Sequence, residues 1–328
     1  MEHDAVLSVE GLRTEFRIAG QWRAAVDGLS LRIGAGETLA LVGESGCGKS
    51  MTALSVMGLV PQPAGRLSGR ILLDGENLVG KAERQLEALR GDRMAMIFQE
   101  PMTSLNPVMT IGDQVAESLR IHRGLSRREA RRAALAVLDE VKIPSAAARF
   151  ADYPHQFSGG MRQRVMIALA LACEPALLLA DEPTTALDVT IQAQVLGLLA
   201  DLKARHGMAM LFITHNLGVV AQIADRVAVM YAGQIVEQAD VHAVFARPAH
   251  PYTAALFAAI PRMDLDGQDL VAIPGRVPPL DAMPPGCRFQ PRCGMAQAGC
   301  ERPQVLAEGA PGHRVRCHVV TGVLQEAA

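Results

Sequence analysis

The sequence predicts an α/β fold with a largely parallel sheet. Three observations carry this. Short apolar segments of strand type alternate with helical ones, a complete glycine-rich phosphate motif joins a strand to a helix, and a charged helical block interrupts the alternation midway. In chain order, Val6–Val9 and Leu12–Phe16 have short apolar patterns, Leu29–Ile33 alternates, and Glu37–Val42 is an apolar run ending at glycine. Gly48–Leu59 then takes helical spacing. Residues 84–91 and 111–141 are charged and helix-forming, with Ser126 a candidate N-cap for Arg127–Val141. A further helix is expected over Gly159–Cys173. This block lies between strand-like Met94–Phe98 and Ala176–Ala180, so it reads as an insertion into the α/β core. Thr190–Arg205 and Asn216–Ile223 read as helices, and Met208–Thr214 and Arg226–Met230 as strands, which restores the alternation and implies right-handed crossovers. From about Arg247 prolines become frequent, and the chain reads as a loop-rich appendage that adds nothing to the parallel sheet.

The chain has 328 residues, 49% of them hydrophobic, ample for a large core and for more than one domain. A formal net charge of -2 and 4% aromatics argue against a nucleic-acid-binding surface. The start, Met1-Glu2-His3-Asp4, is acidic and lacks the apolar core of a signal peptide. No stretch reaches the ~18 to 20 apolar residues of a spanning helix; the richest, Val165–Cys173, reads as a buried helix. Work at a membrane would therefore run through a partner that spans it. Of six cysteines, Cys47 and Cys173 are isolated, while Cys287, Cys293, Cys300 and Cys317 cluster near the C-terminus. In a reducing compartment such a cluster points to metal more than to disulfides.

Gly43-Glu44-Ser45-Gly46-Cys47-Gly48-Lys49-Ser50 fits G-x-x-x-x-G-K-[ST] in full. Its glycines let backbone N–H groups turn toward phosphate oxygens, and the helix that follows adds its positive end. Lys49 is expected on the β- and γ-phosphates and the Ser50 hydroxyl on Mg²⁺. Ala176–Ala180 is a buried strand ending in Asp181 and Glu182. Asp181 would hold Mg²⁺ through water, opposite Ser50, and Glu182 would orient the attacking water as a general base.

Phe157-Ser158-Gly159-Gly160-Met161-Arg162-Gln163-Arg164, read together with these motifs, resembles the signature of the ABC ATPases, usually Leu-Ser-Gly-Gly-Gln. The resemblance implies a RecA-like core with an antiparallel β subdomain and a helical signature subdomain, and it implies ATP as ligand. It places Ser158, Gly159, Gly160 and Met161 on the ATP of an opposing cassette. Gln99 matches the Q-loop glutamine, a ligand of Mg²⁺ and water. Asp188, in Ala186-Leu187-Asp188, matches the D-loop, and His215 the switch histidine at the γ-phosphate. Gly43 through Ser50 and Met51 would wrap the phosphates, Met51 standing where many relatives carry serine or threonine. The adenine would stack on Phe16, with Trp22 the competitor.

A closer resemblance is to the oligopeptide/dipeptide importer subfamily, carried by Tyr153–Val165, Ala180–Thr190, Gln99-Glu100-Pro101-Met102-Thr103-Ser104-Leu105-Asn106-Pro107 and His250-Pro251-Tyr252-Thr253. It implies an ATPase cassette over residues 1–255, its helical subdomain about 100–172, and a C-terminal extension over 256–328. It also implies a second ATPase subunit in a heterodimer, two membrane permeases and a periplasmic or surface solute-binding protein, with this chain peripheral at the cytoplasmic face of a bacterial inner membrane. The subfamily includes carriers of peptides, glutathione, nickel chelates and opines. Tails like this one resemble sites for a [4Fe–4S] cluster on Cys287, Cys293, Cys300 and Cys317; zinc and unligated thiols remain open alternatives. Arg288, Arg292, Arg302, Arg314 and Arg316 are expected on a solvated basic face. The rival class is a soluble ABC ATPase acting on DNA or ribosomes. The stretch between Lys49 and Ser158 lacks room for a long coiled coil, and the chain holds one cassette, not two.

Overall fold

The computed structural model describes residues 5–99, 104–185, 187–259 and 272–323. The strands are β1 (Ala5–Ile18), β2 (Gln21–Gly34), β3 (Thr38–Val42), β4 (Gly65–Leu73), β5 (Glu76–Asn77), β6 (Met94–Ile97), β7 (Leu177–Asp181), β8 (Ala209–Thr214), β9 (Arg226–Tyr231), β10 (Gln234–Asp240), β11 (Ala307–Ala310) and β12 (His313–Val315). The α-helices are α1 (Lys49–Val56), α2 (Glu83–Leu89), α3 (Ile111–Arg123), α4 (Arg127–Glu140), α5 (Ala146–Arg149), α6 (Gly159–Leu171), α7 (Val189–His206), α8 (Leu217–Ile223), α9 (Val241–Ala246), α10 (Pro251–Ala258) and α11 (His318–Thr321). They fall into two compact units, Met1–Leu7 with Ile33–Glu37 and Leu73–Phe212, and Ser8–Arg32 with Thr38–Leu72 and Ile213–Ala328.

The unit that holds the phosphate loop contains strands in the order β11-β12-β10-β9-β3 and, separately, β2-β1-β4. All five residues of β3 are buried, as a strand covered on both faces requires. It runs parallel to β9, with Leu39 opposite Arg226 and Val42 opposite Val229. Beyond β9 the sheet turns antiparallel through β10 and β12. The tail therefore contributes two edge strands, while its remainder is loop-rich as expected. Tyr231, Tyr252 and Phe289 form a three-ring cluster with centroids 4.7 to 5.4 Å apart, which ties β9, α10 and the tail into one core.

A buried carboxylate anchors this arrangement. Glu237 is fully buried and accepts from the N–H groups of Ala249 and His250, both at 2.8 Å, and lies 2.7 Å from His313 Nε2. Such a group is tolerable inside only because every partner is supplied. His250 caps α10: its Nδ1 accepts from the Tyr252 N–H at 3.0 Å.

In the other unit the strand order is β8-β7-β6, with β6 and β7 parallel and Met94 opposite Leu177. The helices α3, α4, α5 and α6 make up the helical block between β6 and β7. Thr110 caps α3, and Ser126 with Glu129 forms a reciprocal capping box on α4, which ends the expected 111–141 segment as two helices. No helix among the described residues is long and apolar enough to cross a membrane.

Seven strands differ from the sequence reading. Val6–Val9 and Leu12–Phe16 belong to one strand, because Gly11 takes φ +57° and carries the chain through without a turn. The Leu29–Ile33 strand begins at Gln21. β4, β5, β10, β11 and β12 were not foreseen; the first six residues of β4 hold two glycines and three exposed polar side chains, and in β10 five of seven residues are buried although three of them are Glu237, Gln238 and the small Ala239.

Burial pushes the His250 imidazole down to about 3, and its acceptor role requires the neutral ring. The unfolded chain then binds the proton that the folded chain refuses, so stability drains away as pH falls from about 6.5 toward 3. We expect a His250 share of up to about 1.4 kcal/mol per pH unit in that window. His250→Asn keeps a cap without titrating. Denaturant unfolding at pH 7 and pH 5 should show a larger loss for the native chain than for the variant; equal losses would refute the assignment.

Candidate functional site

The loop Gly43–Gly48 leads from β3 into α1, so an apolar buried strand delivers the chain to a helix N-terminus. Two glycines are obligatory for steric reasons. A Cβ on Gly43 would sit 2.1 Å from the Met230 carbonyl oxygen, and one on Gly48, at φ +108°, would sit 2.8 Å from the Ala25 carbonyl oxygen. Gly46 has open space around it. Lys49 is 6% exposed, and its Nζ donates to the carbonyls of Gly43 at 2.8 Å and Glu44 at 3.0 Å. The ammonium is therefore held inside the concavity that its own loop describes. Cys47 is buried, and desolvation raises its thiol pKa, so it packs and does not react.

Glu44 is fixed from three sides. Its N–H donates to Tyr252 Oη at 2.9 Å, its carbonyl accepts from Lys49, and its carboxylate takes both Nη atoms of Arg292, at 2.7 and 3.0 Å. The sequence reading placed Arg292 on a solvated face. The structure overturns this for three of the five tail arginines. Arg292 is buried on Glu44; Arg288 pairs with Asp27 and the Ala232 carbonyl; Arg316 donates to the carbonyls of Ile235 and Gln304 at 2.8 Å. Desolvation lowers the Arg316 pKa to about 10, which still leaves it charged at neutral pH. No local pattern distinguishes a buried tail arginine from an exposed one; the partners lie far away in sequence.

Phe16 is half-buried at the end of β1, and Trp22 carries the Arg66 guanidinium 4.3 Å over its ring. Ser50 and Met51 lie in the first turn of α1, and His215 is exposed just past the end of β8.

The other unit holds the remaining expected residues. Asp181 ends β7 and is 4% exposed. Glu182 follows at φ +46°, a left-handed conformation rare for its type. Its Oε2 accepts from Gln99 Nε2 at 3.1 Å and from Thr185 Oγ1 at 2.8 Å. The two residues expected to handle water and metal thus meet directly. Thr185 was not singled out; it sits three residues on, where a side chain reaches back across a turn. Ser158 caps α6, accepting from the Met161 N–H at 3.4 Å, and Ser158 and Gly159 are exposed. A Cβ on Gly160 would lie 2.7 Å from Ile191 Cγ2, while Asp188 accepts from the Ile191 N–H at 2.9 Å. The starts of α6 and α7 therefore share a contact. Ala186 and residues 100–103, quoted in the sequence motifs, lie outside the described residues.

Hard oxygen donors at Ser50, Asp181 and Gln99 suit Mg²⁺ by type. The expected cluster site is not supported. Cys287, Cys293, Cys300 and Cys317 line one small apolar cavity together with His250 and His318. Among the described residues, however, no group of three or more His, Cys, Asp or Glu is disposed to hold a metal ion. Burial raises the Cys287 thiol to about 11 and shifts Cys293 upward.

Comparison with known proteins follows this geometry. Residues 26–185 match the ABC transporter family, and residues 236–300 match the oligopeptide/dipeptide transporter C-terminal region. A peptide import ATP-binding protein of Brucella abortus (strain 2308) is 50% identical over 312 residues, covering 95% of this chain and 94% of its own. One of Brucella ovis is 51% identical over 330 residues, covering 97% and 98%. Among solved structures, a dimeric ATP-binding cassette, MJ0796, with ADP and phosphate aligns at TM-score 0.64 and 26% identity, covering 72% of this chain and 98% of that one. The cbiO1 cassette of Clostridium perfringens aligns at TM-score 0.63 and 27% identity, covering 75% and 92%. The chain belongs to the ABC transporter ATPases. Its C-terminal match sets it among those that carry the oligopeptide/dipeptide transporter extension.

The two glycines with blocked Cβ positions give a graded test. We expect Gly43→Ala to cost about 2 kcal/mol or more by chemical denaturation, since backbone must move. Gly46→Ala, strained only by its positive φ, should cost about 1 to 2 kcal/mol. The reverse ranking would contradict the loop geometry.

Proposed function

We propose that this chain hydrolyses ATP to drive import of di- or oligopeptides, or related small solutes, across a bacterial inner membrane. The observation that carries the reading is the phosphate loop, with Lys49 held against the carbonyls of Gly43 and Glu44 at the start of α1. In this reading ATP lies along Gly43–Met51 with its adenine on Phe16, and Lys49 exchanges its carbonyl partners for phosphate oxygens. Ser50, Gln99 and Asp181 would hold Mg²⁺, which would supply neutralisation of the charge that develops during phosphoryl transfer. Glu182, steadied by Gln99 and Thr185, takes a proton from the attacking water, and His215 contacts the γ-phosphate.

The exposed Ser158–Met161 tip supports a second cassette as partner. A helix start with a serine and two glycines is an anion site, and here it serves the ATP of the opposite subunit. Two ATP molecules then hold the pair closed, and loss of γ-phosphate releases it, so nucleotide state shifts a population between closed and open forms. Two membrane-spanning permease subunits and a periplasmic or surface solute-binding protein complete the complex, with the ATPase pair at the cytoplasmic face. Peptide as cargo is supported by the relatives named for peptide import and by the C-terminal match. Glutathione, nickel chelates and opines are the alternative cargoes.

Two measurements test this. In the reconstituted transporter, Glu182→Gln should lower ATP turnover by about 100-fold or more while ATP still binds, and Lys49→Ala should lose binding. Hydrolysis surviving in Glu182→Gln removes that residue from its role. In cells lacking the chain, uptake of labelled di- and oligopeptides should fall and return with the native gene only. Undiminished peptide uptake with loss of another solute would replace peptide as the cargo.

A further inference from the structure

The C-terminal extension reaches the phosphate loop at one residue. Arg292 ends a single 3-10 turn, Gln290–Arg292, and its side chain is 4% exposed. Its Nε donates to the Pro274 carbonyl at 2.7 Å, Nη1 to Glu44 Oε2 at 2.7 Å and Tyr231 Oη at 3.3 Å, and Nη2 to Glu44 Oε1 at 3.0 Å and the Ile273 carbonyl at 3.4 Å. The guanidinium also lies over the rings of Tyr231 and Phe289, 5.7 and 6.0 Å from their centroids. A planar fork saturated in this way has one orientation, and a carboxylate gripped by both its prongs has one as well.

Glu44 is the second residue of the phosphate loop. Its three tethers run to Arg292, Tyr252 and Lys49, and the last of these is the residue that must leave for phosphate. With Glu44 fixed from outside, the loop keeps its shape when Lys49 lets go. Lys49 then changes partners without a loop rearrangement to offset, which preorganises the site.

A mere staple for the tail would be a different role, and the surrounding contacts separate the two. The extension is held independently by Arg288 on Asp27, by His313 on Glu237, by β12 on β10 and by Phe289 in the ring cluster. Removing one fork therefore leaves the tail attached and loosens the loop instead.

We propose that Arg292 is a positioning residue for nucleotide binding, acting from the C-terminal extension through the Glu44 carboxylate to hold the phosphate loop in its receptive shape. This rests on the reading of that loop as the ATP site. An arginine is required, because a lysine supplies the charge but not the two parallel bonds.

The test uses the full-length chain and Mg-ATP, with affinity from calorimetry and folding from thermal melting. We expect Arg292→Gln and Glu44→Gln each to weaken ATP binding about 10-fold, equivalent to about 1.4 kcal/mol. The double variant should be no weaker than either single one, since both remove the same interaction. Arg292→Lys should recover only part of the loss. In the assembled transporter, KM for ATP should rise while kcat at saturating ATP stays within about twofold. Native affinity in folded Arg292→Gln overturns the proposal, as do single effects that add in the double variant. If Arg292→Gln does not fold, Arg292→Lys and Glu44→Gln decide: native affinity in both sinks it. A native chain that binds no ATP instead removes the reading of the loop itself.

Discussion

Everything in this molecule answers to one electrostatic demand: a polyanion must be met by backbone dipoles fixed before it arrives. The loop from Gly43 to Lys49 meets it by placing the chain so close to the Met230 and Ala25 carbonyls that no side chain fits at two of its turns. That closeness requires the buried β3–β9 pair beneath it, whose register sets Val42 against Val229. The sheet, the tail and the ring cluster can be understood as what keeps those few backbone atoms still. Preorganised dipoles are worth more than flexible ones because no reorganisation is charged when the ligand binds.

The readable parts of the sequence were those whose cause is local. The phosphate motif, the Ser126 cap and the apolar run of β7 each depend on a few adjacent residues. Gln99 and Glu182 were named from separate motifs, and they meet at 3.1 Å. What stayed hidden was whatever depends on distant partners. β4 opens with two glycines and three polar residues among its first six, so no period marks it. β10 conceals a buried glutamate whose stabilising donors come from Ala249, His250 and His313. Arg292 looked like any basic residue in a proline-rich tail, since its carboxylate lies 248 positions upstream.

The cysteine tail shows the limit of composition as a guide. Four thiols in a reducing compartment suggested a metal, and they do converge on one cavity. The pairs that hold the extension are an arginine on a carboxylate, a histidine on a carboxylate and edge-to-face rings. These contacts staple the extension and draw on none of the four thiols.

The edge of the sheet has one more consequence. β10 would otherwise present a row of open N–H and C=O groups, and β12 covers it, with Arg314 and Val315 opposite Gln238 and Glu237. β11 then becomes the outermost strand: only four residues long, interrupted by an irregularity at Glu308 and Ala310, and carrying two small residues and a glycine. Short, irregular, acidic margins discourage unwanted strand addition. The same extension that reaches the phosphate loop thus also acts as a selvage, finishing the fabric so that neighbouring molecules find no loose thread to pair with.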